Sequence, residues 1–166
     1  MIRLLRNPDY LWSILKQGGL REMVKRFDHA TFVVRDMEGA KRFFGLLGFQ
    51  VDLDVLISGE TIGRYMGIEG IKAQHVTLVL ANSPVRQEIQ LLRYIHPDPI
   101  PDPHISDLNK LGYNHVCFVV DDIEAEVERL KANGVKFRNE IMDFHSRKLI
   151  YFYGPEEVTV ELAQWH

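Results

Sequence analysis

Asn114-His115-Val116-Cys117-Phe118-Val119-Val120-Asp121-Asp122 restates a stretch that the chain has already used 86 positions earlier, Asp28-His29-Ala30-Thr31-Phe32-Val33-Val34-Arg35-Asp36. The match runs past the apolar core of the motif, with Glu38 on Glu124 and Gly48 on Gly134. Over 28–49 against 114–135 there are seven identities in 22 positions. An internal repeat of this length implies two copies of one supersecondary unit. Each copy opens with a histidine on a strand. A lone strand histidine is ordinarily structural, but two at equivalent positions, brought together by pseudo-symmetry, make half of a metal site.

Working outward from the repeat, 28–34 alternates as a strand, with His29, Thr31 and Val33 opposite Ala30, Phe32 and Val34. Asp36 caps a helix over 37–47 whose apolar face is Met37, Ala40, Phe43, Phe44 and Leu47, and Gly48 ends it. Strands are expected near 49–57, 74–80 and 87–94, with a Gly-rich loop over 58–70. The second copy repeats the order: a strand over 114–120, a helix over 122–133 capped by Asp122, and strands near 135–140, 147–153 and 158–164. Four prolines between His96 and Asn109 make a semi-rigid linker. The expected fold is α+β, two βαβββ modules in tandem forming a curled mixed sheet around a metal site. Residues 1–27 form a helical N-terminal extension, 28–95 the first module, 96–111 the linker and 112–166 the second module.

Composition narrows the function. The net charge of −3 gives no reason to expect nucleic acid. Residues 1–27 carry +4 and the remainder −7, but the apolar run around Leu11 to Leu15 is too short to span a membrane or direct export. A basic surface helix at a membrane is the minor alternative to one packed on the domain or on a partner subunit. The single cysteine, Cys117, excludes an intrachain disulfide and fits a reducing cytoplasm. It shares the face of His115, with a small, buried, apolar role expected.

The last strands of the two copies also correspond: Ile89-Gln90-Leu91 matches Val160-Glu161-Leu162. His29, His115, Gln90 and Glu161 are therefore four hard or borderline ligands that converge if first and last strands line a common trough. Such a set suits Fe(II), Co, Ni, Mn or Zn without choosing among them.

These motifs, together with Gly112-Tyr113 ahead of the second histidine and the ending Gly154-Pro155-Glu156-Glu157-Val158-Thr159-Val160-Glu161-Leu162, resemble the vicinal oxygen chelate superfamily. That superfamily includes glyoxalase I, methylmalonyl-CoA epimerase, extradiol dioxygenases and bleomycin-resistance proteins. The resemblance covers about 28–164 and implies that His29, Gln90, His115 and Glu161 hold a divalent metal. It implies a lyase or epimerase that chelates adjacent oxygens of a small-molecule substrate and stabilises an enediolate or enolate, with Glu161 as base. Glu60 is a weaker candidate base. Gln90 as fourth ligand leans toward proton-transfer chemistry. Two other readings stay open: an Fe(II) extradiol dioxygenase using His29, His115 and Glu161, and a metal-free binding or resistance protein. A homodimer is expected from the resemblance. Tyr151, Tyr153 and Arg64 are candidate substrate-binding residues; His75, Tyr94, Tyr113, His145 and Arg86 are secondary ones, and Glu88 reads as a rim residue.

Overall fold

The structure is a computed structural model in which residues 24–166 are described. The helix expected within residues 1–27 lies outside the described residues but for their last few, which carry no regular structure. The first unit consists of β1 (His29–Val33), α1 (Met37–Leu46), β2 (Phe49–Ser58), α2 (Glu60–Met66), β3 (Lys72–Leu80) and β4 (Glu88–His96). The second consists of β5 (Val116–Val119), α3 (Ile123–Ala132), β6 (Met142–Asp143), β7 (Arg147–Tyr153) and β8 (Thr159–Trp165), with a 3₁₀ turn at Pro155–Glu157.

Each unit folds into a four-stranded mixed sheet, in the orders β1-β4-β3-β2 and β5-β8-β7-β6. In each, the first strand runs parallel to the last and the remaining neighbours are antiparallel. This is the tandem βαβββ arrangement.

The repeat extends to the caps. The Asp36 carboxylate accepts the Gly39 N–H at 2.8 Å, and Asp122 accepts the Ala125 N–H at 2.9 Å. Both helices are followed by glycine in the left-handed region, Gly48 at φ 90° and Gly134 at φ 81°, where a Cβ would be strained. Met37, Ala40 and Phe44 form the buried stripe of α1, and Ile123, Val127 and Leu130 that of α3.

These stripes enter a single core with one face of each sheet: Phe32, Val76, Leu78, Ile89 and Leu91 from the first, Ile150, Phe152, Val160 and Leu162 from the second. The units interlock through it. Phe43 of α1 meets Phe152 at 6.0 Å between ring centroids, Phe49 meets Phe118 at 5.6 Å, and Arg129 donates to the Leu46 carbonyl at 2.5 Å.

Strand alternation then fixes the opposite faces. His29, Thr31, Val33, His75, Thr77 and Gln90 stand on the face of the first sheet turned away from the core. Cys117, Val119, Tyr151 and Glu161 stand on the corresponding face of the second.

Two local expectations are corrected. The segment 58–70 is not all loop, because α2 forms there with Glu60 in its first turn and Arg64 in its last, each complementing the helix dipole. The segment 135–140 is not a full strand. Arg138 N–H donates to the Tyr151 carbonyl, but the Tyr151 N–H is taken by the side-chain oxygen of Asn139 at 2.9 Å, so only an isolated bridge, Phe137 to Phe152, survives.

Candidate metal centre

Backbone register places the candidate ligands equivalently in the two sheets. Thr31 is the partner of Gln90 across β1–β4, and Cys117 is the partner of Glu161 across β5–β8. Each histidine sits two residues before the strand position facing the amide or carboxylate. The pseudo-symmetry inferred from sequence therefore holds to single-residue precision.

In the second unit, His115 Nε2 lies 3.4 Å from Glu161 Oε2. Glu161 is 5% exposed and, with Thr77 and Thr159, makes up the buried polar residues of the described chain. Asn114 Oδ1 engages the other ring nitrogen of His115, Nδ1, at 2.6 Å. The Tyr151 ring stands edge-on to the His115 ring at 5.3 Å, and Tyr151 is paired with Glu161 across β7–β8. Partial burial, and then the adjacent Glu161 charge, push the Tyr151 phenol above its ordinary pKa. Burial likewise pushes the Cys117 thiol up to about 12, with Glu161 adding to it. Cys117 is nonetheless exposed as a residue, which corrects the expectation of a buried apolar role. It lies on the face of its sheet turned away from the core, beside Glu161.

In the first unit, His29 Nδ1 is 2.9 Å from Asp28 Oδ2. Asp28, His29 and Glu88 gather potential ligand atoms within 4.8 Å of one another. His75 Nε2 donates to Gln90 Oε1 at 3.2 Å, while the Gln90 amide donates to Glu88 at 3.4 Å. The Gln90 carbonyl oxygen is thereby oriented, with a second lone pair left over.

Among the described residues, the candidate ligands of the two units do not gather into one group. The Asp28–His29–Glu88 group is, among these residues, the one set of three such side chains within 4.8 Å, and His29 does not join His115 and Glu161. The candidate ligands thus stand in two separate places among the described residues, His29 and Gln90 on the first sheet and His115 and Glu161 on the second.

Of the candidate substrate contacts, Tyr151 adjoins His115 directly. Tyr153 is occupied by Arg138, whose guanidinium lies 5.0 Å from its ring centroid. Arg64 is exposed on α2, which packs against β2. Arg86 is already paired, with Asp52 at 2.6 Å and with Glu88. Sequence reasoning passed over Arg147, which shares the strand face of Tyr151 and lies 5.0 Å over the Trp165 ring. Its alternation with Leu149 and Tyr151 was the available signal. It also passed over any role for Asp28 and Asn114.

A family model described as Glyoxalase/Bleomycin resistance protein/Dioxygenase superfamily matches residues 26–162. The chain belongs to this superfamily. A lactoylglutathione lyase of Schizosaccharomyces pombe is 32% identical over 95% of this chain and 53% of its own length. The chain thus spans about half the length of that relative. The uncharacterized protein YaeR of Escherichia coli is 25% identical over 85% of this chain and 97% of its own. A crystal structure of a glyoxalase family protein from Bacillus cereus superposes with a TM-score of 0.78 at 28% identity, covering 87% of this chain and 97% of that one. Members of the superfamily commonly use a divalent metal, and the residues present here fit one. A buried carboxylate ordinarily needs a charged partner or a metal. Glu161 instead meets an imidazole nitrogen at 3.4 Å, longer than an ordinary hydrogen bond but about the span left by two donors around one cation at ~2.1 Å each. No helix of the described residues is long and apolar enough to cross a membrane.

Proposed function

We propose that the chain is a metal-dependent lyase or isomerase of the glyoxalase kind, acting on a small molecule with two adjacent oxygens. The observation that carries this reading is the convergence of His115 Nε2 on the buried Glu161 carboxylate, with Tyr151 beside them. His29, Gln90, His115 and Glu161 would hold the cation. It would act there as a Lewis acid toward the substrate's oxygens.

The remaining chemistry belongs to the chain's own side chains. Glu161 takes the proton from the carbon next to a carbonyl, since it is the carboxylate oriented at the site and shielded from water. Tyr151 stays a neutral phenol and offers an O–H to an oxygen gaining charge. Cys117 stays a neutral thiol, so no nucleophilic step runs through it.

The two half-sites are completed by a second copy of the chain. β1 and β5 are edge strands, and their repeat-equivalent valines, Val33 at 45% and Val119 at 64% exposed, stand on the ligand faces. Open edges with apolar side chains favour pairing with another chain. A homodimer would bring His29 and Gln90 of one copy to His115 and Glu161 of the other.

Elemental analysis of protein purified without chelator or affinity-tag metal tests the reading, with His115→Ala alongside. Near-stoichiometric divalent metal that His115→Ala loses supports it. Protein that takes up no metal on reconstitution sinks it and leaves a binding protein. Gln90→Ala separates the lyase from the extradiol alternative, which needs only the two histidines and Glu161: unchanged metal binding and iron as the native ion would favour oxygen chemistry.

A further inference from the structure

Each candidate ligand histidine is preceded by a residue whose side-chain oxygen meets its Nδ1, Asp28 at 2.9 Å and Asn114 at 2.6 Å. These residues are equivalent in the repeat, so the contact recurs although one side chain is an anion and the other neutral. We infer that Asp28 and Asn114 are positioning residues that hold His29 and His115 in the Nδ1–H tautomer and so present Nε2 as the free donor nitrogen. The inference rests on the metal-site reading above for its purpose, but not for its geometry.

The direction of both contacts follows from what each atom can do. An ionised carboxylate only accepts, so His29 Nδ1 is the donor toward Asp28. An amide can turn either way, but Asn114 is fixed from its other end. Its Nδ2 donates to the Leu108 carbonyl in the linker, and a carbonyl cannot donate in return. Oδ1 is therefore the atom facing His115, and His115 Nδ1 carries the hydrogen. In a neutral imidazole this leaves Nε2 with the lone pair, and Nε2 is the nitrogen turned toward Glu161. Two electron-pair donors facing one another call for a cation between them.

The two supports are anchored differently. Asn114 ties the ring to the linker through Leu108, so the linker braces the second half-site. Asp28 is held by Arg26, which donates at 3.2 Å, so the residues just before β1 brace the first. Outer partners of this kind fix ring orientation, and their loss typically weakens metal binding by about 10–100-fold.

The test reads the imidazole nitrogens directly. Long-range proton–nitrogen correlation spectra of the metal-free full chain, at mildly alkaline pH where imidazoles are neutral, report the tautomer of each histidine. The wild type should show protonated Nδ1 and unprotonated Nε2 at both His29 and His115. Asn114→Ala should turn His115 alone into a tautomer mixture and weaken Zn²⁺ binding by about 10–100-fold in calorimetry. Asn114→Asp, which keeps an acceptor at the same place, should retain the Nδ1–H form, and Asp28→Ala should act on His29 alone. An Nε2–H form in the wild type, or a His115 tautomer unmoved by Asn114→Ala, would overturn the inference. Tautomers as expected in a protein that binds no metal would count against the functional reading alone.

Discussion

Cys117 stands directly opposite Glu161 across the parallel β5–β8 pair, on the sheet face turned away from the core, and is exposed. Burial of the sulfur, reinforced by the neighbouring carboxylate, holds the thiol protonated up to a pKa of about 12. Thiolate, not thiol, attacks alkylating agents. Cys117 should therefore react with iodoacetamide far more slowly at neutral pH than a free cysteine, despite its exposure. Glu161→Gln should speed the reaction and leave it slower than free cysteine, since burial is the larger cause. Rapid alkylation of the wild type at neutral pH would contradict the arrangement.

Tyr113 donates its O–H to the Thr159 carbonyl at 2.7 Å, and burial raises its pKa from 10.0 to about 12. Between those values the unfolded chain has released the proton while the folded chain keeps it, so stability falls as pH rises through the window. Cys117 adds to the same alkaline limb from its ordinary 9.0 upward. Tyr113→Phe should cost about 1 kcal/mol at neutral pH through the lost bond and flatten the decline between pH 10 and 12. Denaturant unfolding across alkaline pH checks both effects.

The turn before β8 places two consecutive non-glycine residues in the left-handed region, Glu156 at φ 54° and Glu157 at φ 62°. Each L-residue there costs about 1–2 kcal/mol, part of which glycine returns as its own backbone entropy. Glu157→Gly should stabilise the protein by about 0.5–1 kcal/mol. Glu156→Gly should gain less or lose, because the Glu156 carboxylate accepts the Arg35 N–H at 2.7 Å and ties this turn to the end of β1. Paired thermal melts of the two variants decide it.

Phe152 is fully buried where the two units meet, with Phe43 at 6.0 Å and Phe137 at 5.5 Å between ring centroids. Phe152→Ala should cost about 3–5 kcal/mol. Because one core serves both sheets, the variant should still unfold in a single transition when followed by separate probes in each unit. Two resolved transitions would show that the units are independent.

Much of this was legible before the structure. The repeat placed both histidines, both acidic caps and both helix-ending glycines, because these positions need particular residue types: a carboxylate at the cap, no Cβ at positive φ, alternation on a strand. The matched last strands likewise put Gln90 and Glu161 at equivalent positions of the two sheets. The short α2 was hidden because seven residues between glycines carry little periodicity. The failure of 135–140 as a strand depended on the Asn139 side chain replacing a ladder acceptor, a competition that alternation does not reveal. Arg147 was missed although it alternates with Tyr151. That the candidate ligands would stand apart on two sheets was not legible at all. It depends on which sheet faces the shared core takes, and that is settled by helix packing such as Phe43 against Phe152.

If His29 of one copy serves the same site as His115 and Glu161 of another, a mixed dimer reveals it most directly. His29→Ala and His115→Ala chains, each alone, should bind no metal tightly. Refolded together and isolated as the mixed dimer, they should bind one metal ion per dimer and recover part of the activity, because one of the two sites then inherits no substitution. A site closed within one chain would leave the mixed dimer as empty as its parents, and that result would contradict a site shared between two copies.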